Sequence, residues 1–252
     1  MPRRILAALF LVIALGPGTA SARVSTPVAS LATNDAIPTV LTGDAIAALV
    51  GPGLALLPLG EPDTVTVVLA GPYIFQHGTN IPFVIQNRTG ETVTNIAVAA
   101  SAYADDNELI GTGQAGQALI QPVVVAPGGY AIGTVGFGTP RLAEAVRFAF
   151  EVDWVAGTSA DPFYDLSIAS ASFEGDRIVG EVRNQLGRPV TYYASVMYAC
   201  LSQDGDLLHV ETVFTDAKSI DPGETVPFLI DEHAIGDPCE LFVLTAEGFS
   251  PG

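Results

Sequence analysis

The sequence feature that most constrains the fold of this chain is an internal repeat with an offset of 97 residues. Residues 81–94 align with residues 178–191 without a gap, and Ile, Asn, Gly, Val and Thr coincide in the two segments. Further along, the sequence Ala-Pro-Gly-Gly at residues 126–129 corresponds to Asp-Pro-Gly-Glu at residues 221–224. Repetition over this length indicates that one structural unit occurs twice.

Each copy of the repeat has the pattern of short β-strands joined by turns. Alternating apolar residues lead to Asn87 and Asn184, whose side chains can close an Asx-turn, and a glycine follows three residues later. We expect a β-hairpin at this turn in each copy. Polar turns follow at residues 105–108 and 203–206, and the second contains Asp204-Gly205, a strong hairpin signal.

The sequence predicts an all-β protein of two tandem immunoglobulin-like or fibronectin-like antiparallel β-sandwich domains. Val, Ile, Thr, Phe and Tyr are abundant, and turn signals recur roughly every 8 to 15 residues. We place the first domain at residues 63–156 and the second, FxLYD-like on the motifs given below, at residues 163–252, with a small-residue stretch between them. Residues 23–62, rich in Ala, Pro, Thr and Leu, are interpreted as a low-complexity leader or linker.

Residues 1–22 have the pattern of a secretory signal peptide. Arg3 and Arg4 precede an apolar run from Ile5 to Leu15, and the small residues Ala20-Ser21-Ala22 form a cleavage site. This run is shorter than the roughly 20 residues that span a bilayer, so we expect no membrane insertion after cleavage. The predicted location is secreted or extracytoplasmic, at the cell surface or in the periplasm. The alternative is a buried N-terminal helix.

The charge of the chain limits which partners it can bind, and its cysteine content indicates the redox environment. The net charge of −17 disfavours binding to nucleic acid and to anionic membranes, because both are polyanions. Cys200 and Cys239 are an even count in a chain predicted to be exported, so we expect one disulfide between them. Two buried free thiols are the alternative.

Residues 178–230 carry a set of motifs spaced along the second copy. They are Gly180-Glu181-Val182-x-Asn184, the turn at Asp204-Gly205, and Pro222-Gly223-Glu224 followed by Phe228. This set resembles the FxLYD domain of bacterial and archaeal exported proteins, and residues 81–137 resemble it more weakly. The name-giving signature falls on residues 198–202, where Tyr-Ala-Cys-Leu-Ser departs from it. The resemblance implies an immunoglobulin-like or fibronectin-like sandwich without catalytic residues, in which Cys200 occupies an inward position.

Catalytic and cofactor motifs are scarce. Residues 111–116 read Gly-x-Gly-x-x-Gly, but the segment lacks the following helix and acidic residue of a dinucleotide site, so we predict a glycine-rich edge strand or bulge and no cofactor. His77, His209 and His233 are far apart in the sequence. Glu232, His233 and Asp237 could together form a metal site, and a solvated loop is the alternative. The sequon at Asn87 is better explained by the turn.

Acidic residues at the two polar turns are candidate calcium ligands. Asp105, Asp106 and Glu108 lie in the first turn, and Asp204 and Asp206 lie in the second. Ca²⁺ prefers oxygen ligands of this kind, although neither turn matches a complete calcium loop. Simple solvation of these acids is the alternative.

The function predicted from these observations is that of an exported, non-catalytic binding, adhesion or spacer module, whose partner is an unknown protein or polysaccharide outside the cytoplasm. An exposed ridge of aromatic residues would favour this function. The alternative is an extracytoplasmic hydrolase with a site between the two domains, which needs a histidine or paired carboxylates in a cleft. Trp154, Phe163 and Tyr164 flank the linker and are interpreted as either an interdomain contact or an exposed patch.

Overall fold

The computed structural model describes residues 49–71, 79–158, 162–175, 177–231 and 239–250. The predicted signal peptide, most of the predicted leader, His77, and the group Glu232, His233 and Asp237 lie outside these residues.

Eight antiparallel strands within residues 65–156 form the first sheet. They are β1 (Val65–Ala70), β2 (Thr79–Asn87), β3 (Val93–Tyr103), β4 (Leu109–Ala115), β5 (Ile120–Gln121), β6 (Val124–Val125), β7 (Tyr130–Phe137) and β8 (Arg147–Ala156). The strand order is β1-β2-β7-β4-β3-β6, with β5 paired to β7 and β8 paired to β3.

Six antiparallel strands within residues 163–249 form the second sheet. They are β9 (Phe163–Glu174), β10 (Arg177–Arg183), β11 (Tyr193–Leu201), β12 (Leu207–Phe214), β13 (Thr225–Asp231) and β14 (Leu241–Phe249). The strand order is β12-β11-β14-β9-β10-β13. The first residues of β9 pair with β14 and the later ones with β10, so β9 passes from one layer of strands to the other.

Each sheet encloses a core of its own, because apolar residues alternate along the strands and share one face. The first core contains Phe83 and Val98, and Trp154 packs against it. In the second core, Phe228 of β13 and Val196 of β11 belong to the two facing layers. The structure therefore confirms an all-β, sandwich-like fold with two antiparallel sheets, while the division into two immunoglobulin-like domains stays a prediction.

The predicted disulfide between Cys200 and Cys239 is confirmed. It links β11 to the residues just before β14, and the two Cα atoms are 5.2 Å apart. Cys200 is completely buried in the second core. The bond therefore joins two neighbouring strands at one end of the second sheet.

A third apolar cluster joins the two sheets, and we call it the junction cluster. Its buried members are Leu49, Leu57, Val84, Ile132, Met197, Ala199, Leu201, Leu207, Val210 and Val243. They come from β2 and β7 of the first sheet, from β11, β12 and β14 of the second, and from the segment that precedes β1. That segment pairs with the second sheet, because Val50 and Leu244 exchange backbone hydrogen bonds of 2.9 and 2.7 Å.

The described helices are three short 3₁₀ helices at Pro52–Leu56, Gln117–Leu119 and Pro140–Glu144. In the part of the chain that the structure describes, no helix is long and apolar enough to cross a membrane.

Two fully buried asparagines hold equivalent turns in the two sheets, Asn87 at the end of β2 and Asn184 just after β10. Asn87 Oδ1 accepts a hydrogen bond from the Thr89 amide at 3.0 Å, which closes the predicted Asx-turn. Asn87 Nδ2 donates to the carbonyls of Glu91 at 2.8 Å and Val125 at 2.9 Å. The second donation ties the turn to the segment before the Pro-Gly turn.

Asn184 makes the corresponding bonds in the second sheet. Its Oδ1 accepts from the Leu186 amide at 2.9 Å, and its Nδ2 donates to the carbonyls of Arg188 at 2.9 Å and Ile220 at 2.8 Å. The repeat seen in the sequence is therefore a repeat of one hydrogen-bonded turn.

The hairpins predicted at these asparagine turns are wrong. Among the described residues, β2 pairs with β1 and β7, whereas β3 pairs with β4, β6 and β8. Likewise β10 pairs with β9 and β13, whereas β11 pairs with β12 and β14. The next turn along each copy does form a hairpin, β3 with β4 and β11 with β12, and Gly205 of the second has a positive φ of 87°.

Candidate functional site

Five aromatic side chains form a continuous cluster at one end of the second sheet, and we call it the aromatic cluster. Its members are Phe163, Tyr192, Tyr193, Phe214 and Phe249. Tyr193, Phe249 and Phe163 are direct cross-strand neighbours on β11, β14 and β9. Because residues of equal parity share one face of a sheet, the strand register alone brings these rings together.

The rings of the aromatic cluster contact one another mostly edge to face. Tyr193 and Phe249 are stacked, with ring centroids 5.2 Å apart and an interplanar angle of 9°. Phe214 meets Tyr193 at 5.4 Å and 87°, and Tyr192 meets Phe249 at 5.6 Å and 71°. Tyr192 and Phe214 are each 64% exposed. The cluster therefore presents two large apolar side chains to solvent on a base of packed rings.

A buried polar row lies directly beside the aromatic cluster. Two residues further along the same strands, Ser195, Glu247 and Asp165 are the next cross-strand neighbours on β11, β14 and β9. Glu247 is 1% exposed, whereas Asp165 retains some contact with solvent. We call Asp165 and Glu247 the carboxyl pair. The row lies where the first sheet packs against the second.

Residues of the first sheet complete this polar region. Asp165 Oδ1 accepts a hydrogen bond from the Val123 amide at 3.0 Å, and Gln121 Nε2 donates to Ser195 Oγ at 3.2 Å. Gln121 is 2% exposed, and Thr245 lies fully buried two residues from Glu247 on β14. We call Gln121, Asp165, Ser195, Thr245 and Glu247 the oxygen cluster.

Burial changes the acidity of the carboxyl pair. Loss of solvation raises the pKa of Glu247 to about 9, and the nearby Asp165 carboxyl adds to this rise. Loss of solvation also raises the pKa of Asp165 to about 7, although hydrogen bonds from the Val123 and Val124 amides act in the opposite direction. Neither carboxyl has an arginine or lysine partner in the described part of the chain. The pair therefore favours a proton or another positive charge.

The acids predicted as calcium ligands lie at the two exposed hairpin turns. Glu108 forms an ion pair with Arg141 at 2.9 Å, which lowers the pKa of the Glu108 carboxyl. Asp106 Oδ1 accepts from the Glu108 amide at 2.9 Å and thereby shapes the turn between β3 and β4. Asp204 and Asp206 lie in the turn between β11 and β12. Asp105 lies in the same turn as Asp106. Among the described residues, no group of three or more His, Cys, Asp and Glu side chains is arranged so that it could hold a metal ion.

His209, the glycine-rich segment and Tyr164 all contact other residues of the fold. His209 is buried on β12, and its ring meets Tyr198 edge to face at 5.5 Å. Residues 111–115 belong to β4, which lies between β7 and β3 and not at an edge, and Gly113 closely approaches the Gly136 carbonyl. Arg188 stacks over the Tyr164 ring at 3.8 Å.

The carboxyl pair and the oxygen cluster were not predicted from the sequence. Their members come from four separate strands of both sheets, and no short motif connects them. One local signal exists. Glu247 is the single charged residue within β14, whose other residues are apolar apart from Thr245. A charge in such a strand is a signal for a buried polar group.

The fold and the site define this chain as an all-β protein with two antiparallel sheets, a disulfide and a buried carboxyl pair. No family model matches the chain and no curated protein matches it. Among solved structures, it is similar to the crystal structure of red sea bream transglutaminase, with 11% sequence identity and a TM-score of 0.23. That alignment covers 66% of this chain and 26% of the transglutaminase chain.

Proposed function

We propose that this chain is an exported, non-catalytic binding module that holds a protein partner on its aromatic cluster. The observation that carries the proposal is the exposure of Tyr192 and Phe214 on a base of packed rings. Contiguous exposed apolar side chains are typical of interaction surfaces, and Tyr and Phe are enriched in the centres of protein interfaces. Export and the relation to FxLYD domains are part of this proposal, and the disulfide supports an oxidising location.

Ring geometry favours a protein over a polysaccharide as the partner. A sugar ring stacks best on a flat, open aromatic face. Here Tyr193 and Phe249 stack on each other, whereas Tyr192 and Phe214 meet them edge to face, so the five rings do not form one flat surface. Apolar side chains of a protein can instead pack against the exposed rings of Tyr192 and Phe214.

The charge of the chain limits the kind of protein that it attracts. A net charge of −17 slows the approach of acidic partners and speeds the approach of basic ones. We therefore propose a partner with an apolar contact patch surrounded by basic residues.

The alternative of a hydrolase rests on the carboxyl pair. Paired carboxyl groups with separated acidities are typical of acid–base catalysts. Glu247, however, is 1% exposed, so a substrate cannot reach it without separation of the two sheets. Burial of this degree supports a binding module over an enzyme.

Site-specific photocrosslinking in the cells that produce the protein tests the proposal. A photoreactive amino acid replaces Tyr192 in one variant and Leu229 in another. Leu229 is the matched control, because it is a 51% exposed apolar residue on β13, at the opposite edge of the second sheet from β12. We expect a discrete adduct with another protein from position 192 and none from position 229.

Substitution of the exposed rings provides the second half of this test. In a Tyr192→Ser/Phe214→Ser variant the affinity for the crosslinked protein, measured by calorimetry, should fall at least tenfold, because aromatic anchors dominate interface energies. A Leu229→Ser variant should bind normally. The proposal is wrong if position 192 yields only adducts between copies of this chain, or if neutral polysaccharides retain the protein through the same rings.

A further inference from the structure

The oxygen cluster contains buried oxygen atoms whose hydrogen-bonding capacity is not used. Gln121 Oε1, Thr245 Oγ1 and Glu247 Oε2 are buried and have no hydrogen-bond partner within the described part of the chain. Buried polar atoms are rarely left in this state, because each costs about 1–3 kcal/mol without a partner. Gln121 and Glu247 are both neighbours of Ser195, through a hydrogen bond and through the strand register, so their two unpartnered oxygen atoms indicate that this region holds a ligand.

The Gln121 side chain shows where that ligand lies. Its Nε2 donates to Ser195 Oγ, which fixes Oε1 beside the same polar row. Ser195 is the cross-strand neighbour of Glu247, and Glu247 is the cross-strand neighbour of Asp165. Cβ atoms of such neighbours are about 4.5–5.5 Å apart, so carboxylate, hydroxyl and amide oxygens of the three strands and of β5 converge on one region.

We propose that Asp165, Glu247, Ser195 and Gln121 bind one Ca²⁺ ion between the two sheets. Each ligand atom is an oxygen, and hard divalent cations prefer oxygen ligands. The four side chains carry six oxygen atoms, which matches the lower limit of the roughly six to eight that Ca²⁺ takes. Two carboxylates balance the charge of the ion. The ion also gives Gln121 Oε1 and Glu247 Oε2 the partner that the protein does not provide.

Calcium fits this region better than magnesium. Mg²⁺ usually keeps several of its water molecules, and Glu247 lies in surroundings that leave it 1% exposed. Ca²⁺ accepts irregular sets of protein oxygens. Asp165, which keeps some contact with solvent, offers the entry route. This site is distinct from the exposed turns at Asp106 and Asp204, and it does not depend on the proposed protein partner.

Calcium binding to the full chain tests the proposal directly. After treatment with EDTA and its removal, equilibrium dialysis against ⁴⁵Ca²⁺ should show one bound ion per chain. Extracellular modules bind Ca²⁺ with dissociation constants of about 0.1–1 mM. At about 10 mM Ca²⁺ the melting temperature should therefore rise by about 3 to 6 °C, and the same concentration of Mg²⁺ should give a smaller rise.

Variants distinguish the buried site from the exposed turns. Glu247→Gln keeps the shape of the side chain without its charge, so this variant should fold, lose ⁴⁵Ca²⁺ binding and melt at the same temperature with Ca²⁺ and with EDTA. The matched controls Asp105→Asn/Asp106→Asn and Asp204→Asn/Asp206→Asn should bind as the wild type does. Absence of bound Ca²⁺ in the wild type overturns the proposal, as does full binding by Glu247→Gln or equal stabilisation by Mg²⁺.

Discussion

At the scale of single residues, a buried asparagine determines how each repeat is connected. The Asn184 side chain provides partners for two carbonyls, at Arg188 and Ile220, and its backbone accepts from the Gly223 amide at 2.7 Å. These bonds tie the strand end to the Pro-Gly turn instead of to the following strand. The local Asx-turn was therefore predictable from the sequence, whereas the strand pairing was not.

Replacement of Asn184 by alanine should strongly destabilise the protein. The Arg188 and Ile220 carbonyls lose their side-chain donor in a buried environment, so we expect a loss of about 2–4 kcal/mol in the free energy of unfolding. Urea denaturation measures this loss. Gln114→Ala removes an exposed amide from β4 and should change the stability by less than about 0.5 kcal/mol. Equal midpoints for the two variants would contradict this interpretation of the turn.

Glu247 should make the calcium-free protein less stable at high pH. Burial raises its pKa from the ordinary value of 4.5 to about 9 in the folded state, so the folded state holds the proton more tightly than the unfolded one. This contribution to stability is complete below about pH 4.5, declines as the pH rises and is lost by about pH 9.

Urea midpoints at pH 5, 7 and 9 in EDTA measure this decline. In Glu247→Gln the decline between pH 7 and pH 9 should be much smaller, because the amide carries no proton to lose, whereas part of the decline below pH 7 should remain because burial also raises the pKa of Asp165 to about 7. The control Glu151→Gln removes an exposed carboxylate from β8 and should keep the wild-type dependence. Parallel curves for the wild type and Glu247→Gln would show that Glu247 does not cause the decline.

At the scale of strands and turns, the sequence was informative wherever the signal was local. The Asp-Gly and Pro-Gly turns and the apolar alternation predicted strands such as β11 and β13, since both depend on neighbouring residues. The glycine-rich segment was predicted as an edge strand or bulge; it is a strand, but the edge position is wrong, because β4 lies between β7 and β3. The oxygen cluster could not be predicted, because Gln121 reaches Ser195, the cross-strand neighbour of Glu247, only through packing between the sheets.

The disulfide should stabilise the second sheet by restricting the unfolded chain. Cys200 and Cys239 are separated by 39 residues, and closing a loop of this length contributes up to about 4 kcal/mol. Guanidinium denaturation with and without reductant measures this contribution. Cys200→Ala/Cys239→Ala should unfold at the lower midpoint in both conditions. An unchanged wild-type midpoint after verified reduction would show that packing alone holds β11 and β14 together.

At the scale of the whole molecule, the junction cluster decides whether the two sheets unfold together. It draws apolar residues from both sheets and from the segment before β1, so neither sheet can unfold without exposing part of it. Because each sheet has a core of its own, either half can stay folded after the other has unfolded. Cooperativity should therefore depend on the junction more than on either core.

Met197→Asp tests this dependence, because it places a charge within the junction cluster and leaves both cores unchanged. Trp154, the only tryptophan, packs against the first core, so its fluorescence reports on the first sheet alone. Circular dichroism reports on both sheets. In the wild type the two signals should melt together, and in Met197→Asp they should separate. Leu229→Asp, at an exposed position of β13, should keep coincident transitions. Coincident melting of Met197→Asp would show that the sheets are coupled through other contacts.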